Sequence, residues 1–178
     1  MGRVRGMAVN RKTLSWFDFD QLIDKLIPQF DVEFDVLLII TRGGIVPGGA
    51  LAEALDLNII LTASVDFPPI TMEMNESERA RLQAFPKFVQ FPENELLLGQ
   101  KILVVDDVWG SGRTITAVQN RVRSAGGVPF TCVLHFNPHR NLFGSSRPDY
   151  YADLTSTYII YPWEVQRGPR YAILPGIP

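Results

Sequence analysis

The sequence predicts an α/β fold: a central twisted, mainly parallel sheet flanked by helices, with a flexible hood inserted on one side. Three observations predict it. Apolar runs at 36–40 and 130–136 show little polar alternation, as strands buried on both faces require. Helix-period stretches separate the runs, and strands alternating with helices argue parallel pairing with right-handed crossovers. A further run, 102–105, ends in adjacent acids and a glycine turn, Asp106-Asp-Val-Trp-Gly-Ser-Gly112. Open α/β sheets place their ligands at such strand ends.

Taken in order, Ser15 and Asp18 are the acceptor and the acid of a helix cap. Phe19, Leu22, Ile23, Leu26 and Ile27 follow at helical spacing until Pro28 stops the run. Residues 36–40 are the first strand. Pro47 sits where a first helical turn tolerates it, and 46–55 reads as a helix. The second strand spans 58–63 and the third 101–106. The helix over 114–125 carries Ile115, Val118 and Val122 on one face and ends at Gly126 and Gly127. The fourth strand is 130–136, and 158–161 is a short fifth.

The alternation breaks between 66 and 100. Pro68, Pro69, Pro86 and Pro92 surround a charged patch from Glu73 to Arg81 and the aromatics Phe85, Phe88 and Phe91. A long irregular segment inside a compact domain reads as a lid. Residues 1–14 form a basic arm whose composition leaves it open to disorder. Residues 15–178 make one domain, with 66–100 as its hood.

Composition narrows the class. A hydrophobic content of 46% with 20% charged residues is a globular mix, and 178 residues suffice for a substantial core. The net charge of −2 gives no electrostatic case for nucleic acid or membrane binding. No apolar stretch approaches the roughly 20 residues that span a bilayer. The single cysteine, Cys132, lies in an apolar run, so it reads as a core residue and excludes an internal disulfide.

The glycine turn carries the chemistry. Gly110, Ser111 and Gly112 can turn backbone N–H groups inward, and a helix start near Arg113 adds partial positive charge. Such a loop holds a phosphate. Asp106 and Asp107, just ahead of it, suit the hydroxyls of a neutral sugar. Phosphate and sugar together imply a sugar phosphate. A Walker loop is excluded because no lysine follows Gly112. The dinucleotide fingerprint wants a small residue where Ile115 stands, and no acids ahead of its glycines.

The segment Val104 to Thr114 resembles the phosphoribosyl-pyrophosphate motif of the type I phosphoribosyltransferases. Ile39-Ile-Thr-Arg-Gly-Gly-Ile-Val-Pro47 is similar to that family's pyrophosphate loop. Tyr158-Ile-Ile-Tyr-Pro-Trp-Glu164 resembles the base-binding end of the bacterial xanthine-guanine branch. The likeness implies an enzyme of purine salvage that transfers a phosphoribosyl group to a purine, 6-oxopurines favoured, with Mg²⁺. It implies that Gly110, Ser111, Gly112, Arg113 and Thr114 hold the 5′-phosphate. Asp106 and Asp107 then act on the ribose, and Arg42, Gly43 and Gly44 on the pyrophosphate, with Arg42 counted among the catalytic groups. Asn137, Tyr158 and Ile159 fall at the base, and Asp106, Asp107 and Glu164 at the metal. A cis peptide is expected at Thr41–Arg42 or Arg42–Gly43. Lys87 is the hood's candidate phosphate contact. A cytoplasmic homodimer or homotetramer follows from the same resemblance.

Two residues depart from the 6-oxopurine pattern. Gly110 stands where those enzymes carry an acid that exchanges a proton with the purine N7. Asn137 stands where they carry a lysine that reads the 6-oxo group. His135 and His139 are the substitutes at hand for proton transfer. The alternatives are a phosphoribosyl-pyrophosphate-binding regulator with little turnover, or a transferase for another nucleobase.

Overall fold

The computed structural model describes residues 10–67 and 86–164. Their order is β1 (Arg11–Thr13), α1 (Trp16–Leu26), β2 (Val36–Ile40), α2 (Ile45–Ala54), β3 (Ile60–Asp66), β4 (Lys87–Gln90), β5 (Lys101–Trp109), α3 (Arg113–Ser124), β6 (Val128–Phe136), β7 (Tyr150–Leu154) and β8 (Tyr158–Ile160). Six strands form one sheet in the order β4-β3-β2-β5-β6-β7. It is parallel except for β4, which runs antiparallel to β3.

Local signals explain most boundaries. Ser15 Oγ accepts the backbone N–H of Asp18, and the Asp18 carboxylate accepts that of Ser15, so both halves of the capping box close. The helix ends at Leu26, one residue short of the expected Ile27, which opens a 3₁₀ turn containing Pro28. Gly126 adopts φ 82° just past α3, the left-handed stop expected there.

The central strands are buried on both faces. Leu37, Ile39, Leu103, Val105, Cys132 and Leu134 pack against α1 and α2. Val36, Leu38, Ile40, Ile102, Val104 and Val133 pack with Ile115, Val118 and Val122 of α3 on the opposite face. Cys132 is a fully buried core residue. No helix among the described residues is long and apolar enough to cross a membrane.

Strand β3, expected at 58–63, runs Ile60–Asp66, and four further features differ from the sequence expectation. Strand β5 runs three residues further, through Trp109, because β6 continues to pair with it as far as Phe136. The expected fifth strand, β8, lies outside the main sheet. It pairs with β1, so Arg11–Thr13, inside the expected arm, form a parallel ribbon with Tyr158–Ile160. Strand β7 was not expected: its Tyr-Tyr-Ala-Asp-Leu has no clean period, and pairing with Cys132–Phe136 creates it. In the hood region, Lys87–Gln90 pair with β3 and a 3₁₀ turn follows at Asn94–Leu96. The charged patch and Phe85 lie outside the described residues.

Candidate active site

Chain topology fixes where the site forms. From β2 the chain passes through α2 to β3 on one side, and from β5 through α3 to β6 on the other. Because β2 and β5 are neighbours, their carboxyl ends flank a crevice at the switch point of the sheet.

Strand β2 delivers Thr41, Arg42, Gly43 and Gly44. The Thr41–Arg42 peptide is cis, one of the two bonds expected. Thr41 N–H donates to the Ala63 carbonyl at 2.9 Å, which ties the loop to β3. Gly43 lies directly against Asp107: a Cβ there would stand 2.6 Å from the carboxyl carbon. Gly44 is packed as tightly on the carbonyl of Val105. The two glycines therefore let the loop approach β5 closely, and Arg42 remains exposed at the rim.

Strand β5 delivers the acids. Asp107 N–H donates to Asp106 Oδ1 at 3.0 Å. Burial, then the neighbouring Asp107 charge, pushes the Asp106 carboxyl well above the usual range. Burial, then the Glu164 carboxylate, raises Asp107 to about 6. Arg42, Gly43, Asp106, Asp107, Trp163 and Glu164 line one cleft of about 620 Å³. That volume suits a small polar ligand.

The glycine turn leads from the cleft into α3. Gly112 is the helix N-cap with φ 79°, and a Cβ there would strike the Trp109 indole. Trp109 is itself fixed, buried and donating from Nε1 to Asn141 Oδ1 at 3.2 Å. Ser111 Oγ accepts the Arg113 backbone N–H at 3.4 Å, and Thr114 lies partly exposed in the first helical turn. The Arg113 side chain goes elsewhere. Its guanidinium lies 4.1 Å from the Phe67 ring, in a separate groove with Phe88 and Phe143.

A smaller pocket of about 90 Å³ shares Asp107 and Glu164 with the cleft. It adds Gly110, Asn137, Arg140, Tyr158 and Ile159. Among the described residues nothing lies within 4 Å of a Cβ built on Gly110, so the missing acid leaves open space there. Asn137 is 3% exposed, and its Oδ1 already accepts the His139 backbone N–H at 3.1 Å. Tyr158 is 46% exposed, with the Arg11 guanidinium 5.9 Å from its ring. Ile159 is buried, its side chain part of the core.

Neither histidine lines the cleft or the smaller pocket. His135 is buried, its Nδ1 2.9 Å from the Tyr161 hydroxyl, and burial lowers its pKa to about 4. His139 is exposed. Lys87 is exposed at the start of β4, paired in register with Asp66. Asp106, Asp107 and Glu164 share the cleft, but no group of three or more His, Cys, Asp or Glu side chains converges on one point among the described residues.

Sequence reasoning missed Trp163, Tyr161 and Arg140 as contributors. Trp163 stacks on Tyr161 with ring centres 4.7 Å apart and planes 5° apart. Both lie inside the segment Tyr158 to Glu164, but aromatic residues beside a proline look like core. Arg140 follows Asn137 by three residues, and only the turn at 138–140 brings it back to the pocket.

The family model for the phosphoribosyl transferase domain matches residues 8–164. The chain belongs to this phosphoribosyltransferase family. The adenine phosphoribosyltransferase of Thermosipho melanesiensis is 29% identical over 111 residues, 62% of this chain and 60% of the relative. The chain thus spans about three fifths of that relative's length. The xanthine-guanine phosphoribosyltransferase of Cereibacter sphaeroides is 30% identical over 130 residues, covering 71% of this chain and 66% of the relative. A purine phosphoribosyltransferase from Pyrococcus horikoshii shares the fold, with a TM-score of 0.69 at 24% identity over 89% of this chain and 96% of that one.

Proposed function

We propose that this phosphoribosyltransferase acts in purine salvage, moving the phosphoribosyl group of phosphoribosyl pyrophosphate onto a purine, with 6-oxopurines favoured. The observation that carries the reading is the contact of Gly43 with Asp107. It brings the pyrophosphate-type loop and the acidic strand end onto one cleft, and the glycine turn that follows in sequence places Gly110 in the smaller pocket sharing Asp107.

In this reading the bond from the anomeric carbon to pyrophosphate breaks as the bond to a purine nitrogen forms. That nitrogen's proton leaves to water. Asp106 and Asp107 hold the ribose hydroxyls and face the positive charge that develops on the sugar. Arg42 and the amides of Gly43 and Gly44 take the departing pyrophosphate. The turn from Gly110 to Thr114 and the start of α3 hold the 5′-phosphate. Tyr158, exposed at the rim, offers a platform for the base.

Mg²⁺ fits the donor set. Burial, joined by the Asp107 charge at Asp106 and by the Glu164 carboxylate at Asp107, raises both carboxyls, so the acids gain from a cation. Among the described residues too few ligands gather for a closed cage, and Mg²⁺ commonly completes its shell with substrate oxygens and water. Asp106, Asp107 and Glu164 would hold it, and it would neutralise the pyrophosphate oxygens when bound. Family resemblance adds a cytoplasmic homodimer or homotetramer to the proposal.

Arg140 is a cation in the smaller pocket and favours a keto oxygen on the base. A second reading, adenine, is favoured by the open space at Gly110 and the neutral Asn137. Incubation with phosphoribosyl pyrophosphate, Mg²⁺ and a nucleobase panel separates them by the nucleotide formed. Absence of product with every purine would reject the activity, and product from adenine alone would reject the 6-oxopurine preference.

A further inference from the structure

Tyr161 is 1% exposed, lines the smaller pocket and touches two of the site's acids. Its hydroxyl donates to the backbone carbonyl of Asp107 at 2.9 Å. Its backbone N–H donates to Glu164 Oε2 at 2.9 Å. One buried residue therefore joins the end of β5 to the loop after β8, which hydrogen bonds within the sheet do not connect.

The hydroxyl has one proton. Spending it on the Asp107 carbonyl leaves only lone pairs facing His135 Nδ1, 2.9 Å away. The nitrogen must then carry the hydrogen and donate. If the tyrosine proton turned to His135 instead, two oxygens would face each other at 2.9 Å without a hydrogen between them. The consistent arrangement is a one-way chain: His135 Nδ1–H to Tyr161 Oη, and Tyr161 O–H to the Asp107 carbonyl. The face of Tyr161 is held by Trp163, stacked at 4.7 Å, and Trp163 also lines the cleft.

We propose that Tyr161 is a positioning residue that sets the Asp107 backbone in step with the Glu164 carboxylate, and that His135, as the Nδ1–H tautomer, fixes the direction of its hydroxyl. The inference rests on the phosphoribosyl-transfer reading for its kinetic test but not for its spectroscopic one. Tyr161 is assigned a positioning role because its one hydroxyl proton is committed to the Asp107 carbonyl, so it acts through Asp107 and Glu164.

The spectroscopic test uses the full chain without ligand. Nitrogen-15 NMR of histidine should show His135 protonated at Nδ1 and bare at Nε2 at neutral pH. An Nε2–H tautomer would overturn the chain whatever the protein's activity. The kinetic test uses Tyr161→Phe, which keeps the ring and its stack. Turnover should fall about tenfold, the worth of one buried hydrogen bond, while KM for phosphoribosyl pyrophosphate moves less than about threefold. His135→Ala should match that loss, and adding it to Tyr161→Phe should cost nothing further. His135→Asn, whose amide can donate from nearly the same place, should recover most of the rate. Wild-type turnover in Tyr161→Phe, or equal losses in His135→Asn and His135→Ala, would overturn the positioning role. A wild type that turns over no purine would instead reject the proposed activity and leave the NMR result to decide the chain.

Discussion

The proposed phosphoribosyl side of the site and the proposed base side rest on different supports. Asp106 and Asp107 stand near the end of β5, which is hydrogen-bonded to β2 on one side and β6 on the other. The opposing loop is locked by Gly43 against Asp107. Asn137 and Arg140 instead sit on a turn after β6, and Tyr158 begins a three-residue strand whose one partner is β1. The first half is built from the centre of the sheet, where neighbours on both faces resist displacement. The second is built from loops and a two-stranded ribbon. A two-stranded ribbon is marginal without other support. The comparison teaches where variation is tolerated. The acids lie on a central strand, while Arg140 and Tyr158 on the other side are exposed, so that substitutions there disturb less packing than at buried Asn137.

The harshest break of the central half is Thr114→Asp. A carboxylate in the first turn of α3 would face the 5′-phosphate, and repulsion of a few kcal/mol should weaken phosphoribosyl pyrophosphate about a thousandfold. Unchanged affinity in calorimetry would remove the turn from the site. Next is the double replacement of Asp106 and Asp107 by Asn. Turnover should fall about a hundredfold and substrate affinity much less, because the charge matters most as the sugar becomes positive. Wild-type turnover would end the catalytic role of the pair.

The same acids make a stability prediction. The folded pKa of Asp107, about 6, is raised from 3.8, so the folded chain holds the extra proton between these values. Stability therefore falls as pH rises through that window and stays lower above it. Asp107→Asn should raise stability by about 1–3 kcal/mol at pH near 7.5, the gain vanishing below about pH 4. Thermal melts across that range check it, and a pH-independent effect would contradict the burial of the pair.

The peripheral half should give smaller effects. Tyr158→Ala should weaken base binding by roughly 1–3 kcal/mol and leave phosphoribosyl pyrophosphate affinity unchanged. Loss of both affinities together would merge the two halves. Mildest is Gly110→Asp. The open space there should admit the acid with a stability change under about 0.5 kcal/mol and raise turnover on 6-oxopurines. A drop in melting temperature would show that the space is not free.

The sequence was most informative where one local rule decides the outcome. The capping box at Ser15 and Asp18, the strand Val36–Ile40 and the glycine turn before α3 follow from residue types and spacing alone. Motifs also located the Arg42 loop and the acids, because their residues are adjacent in the chain. What needed the third dimension lies in pairings between distant segments. Strand β7 and the ribbon of β1 with β8 have weak local preference and exist because a partner edge was waiting. The Arg113 side chain could not be placed from its position in the motif, since the direction of a side chain at a helix start depends on what packs there, and Phe67 does. His135 reads alone as a candidate acid or base. Only the fold, by bringing it within 2.9 Å of Tyr161, 26 residues on in sequence, makes it a buried hydrogen-bonding group. Residue order sets local backbone preference and hydrophobic period, but contacts across long sequence separations are fixed only when the sheet closes and burial demands a partner for every polar group.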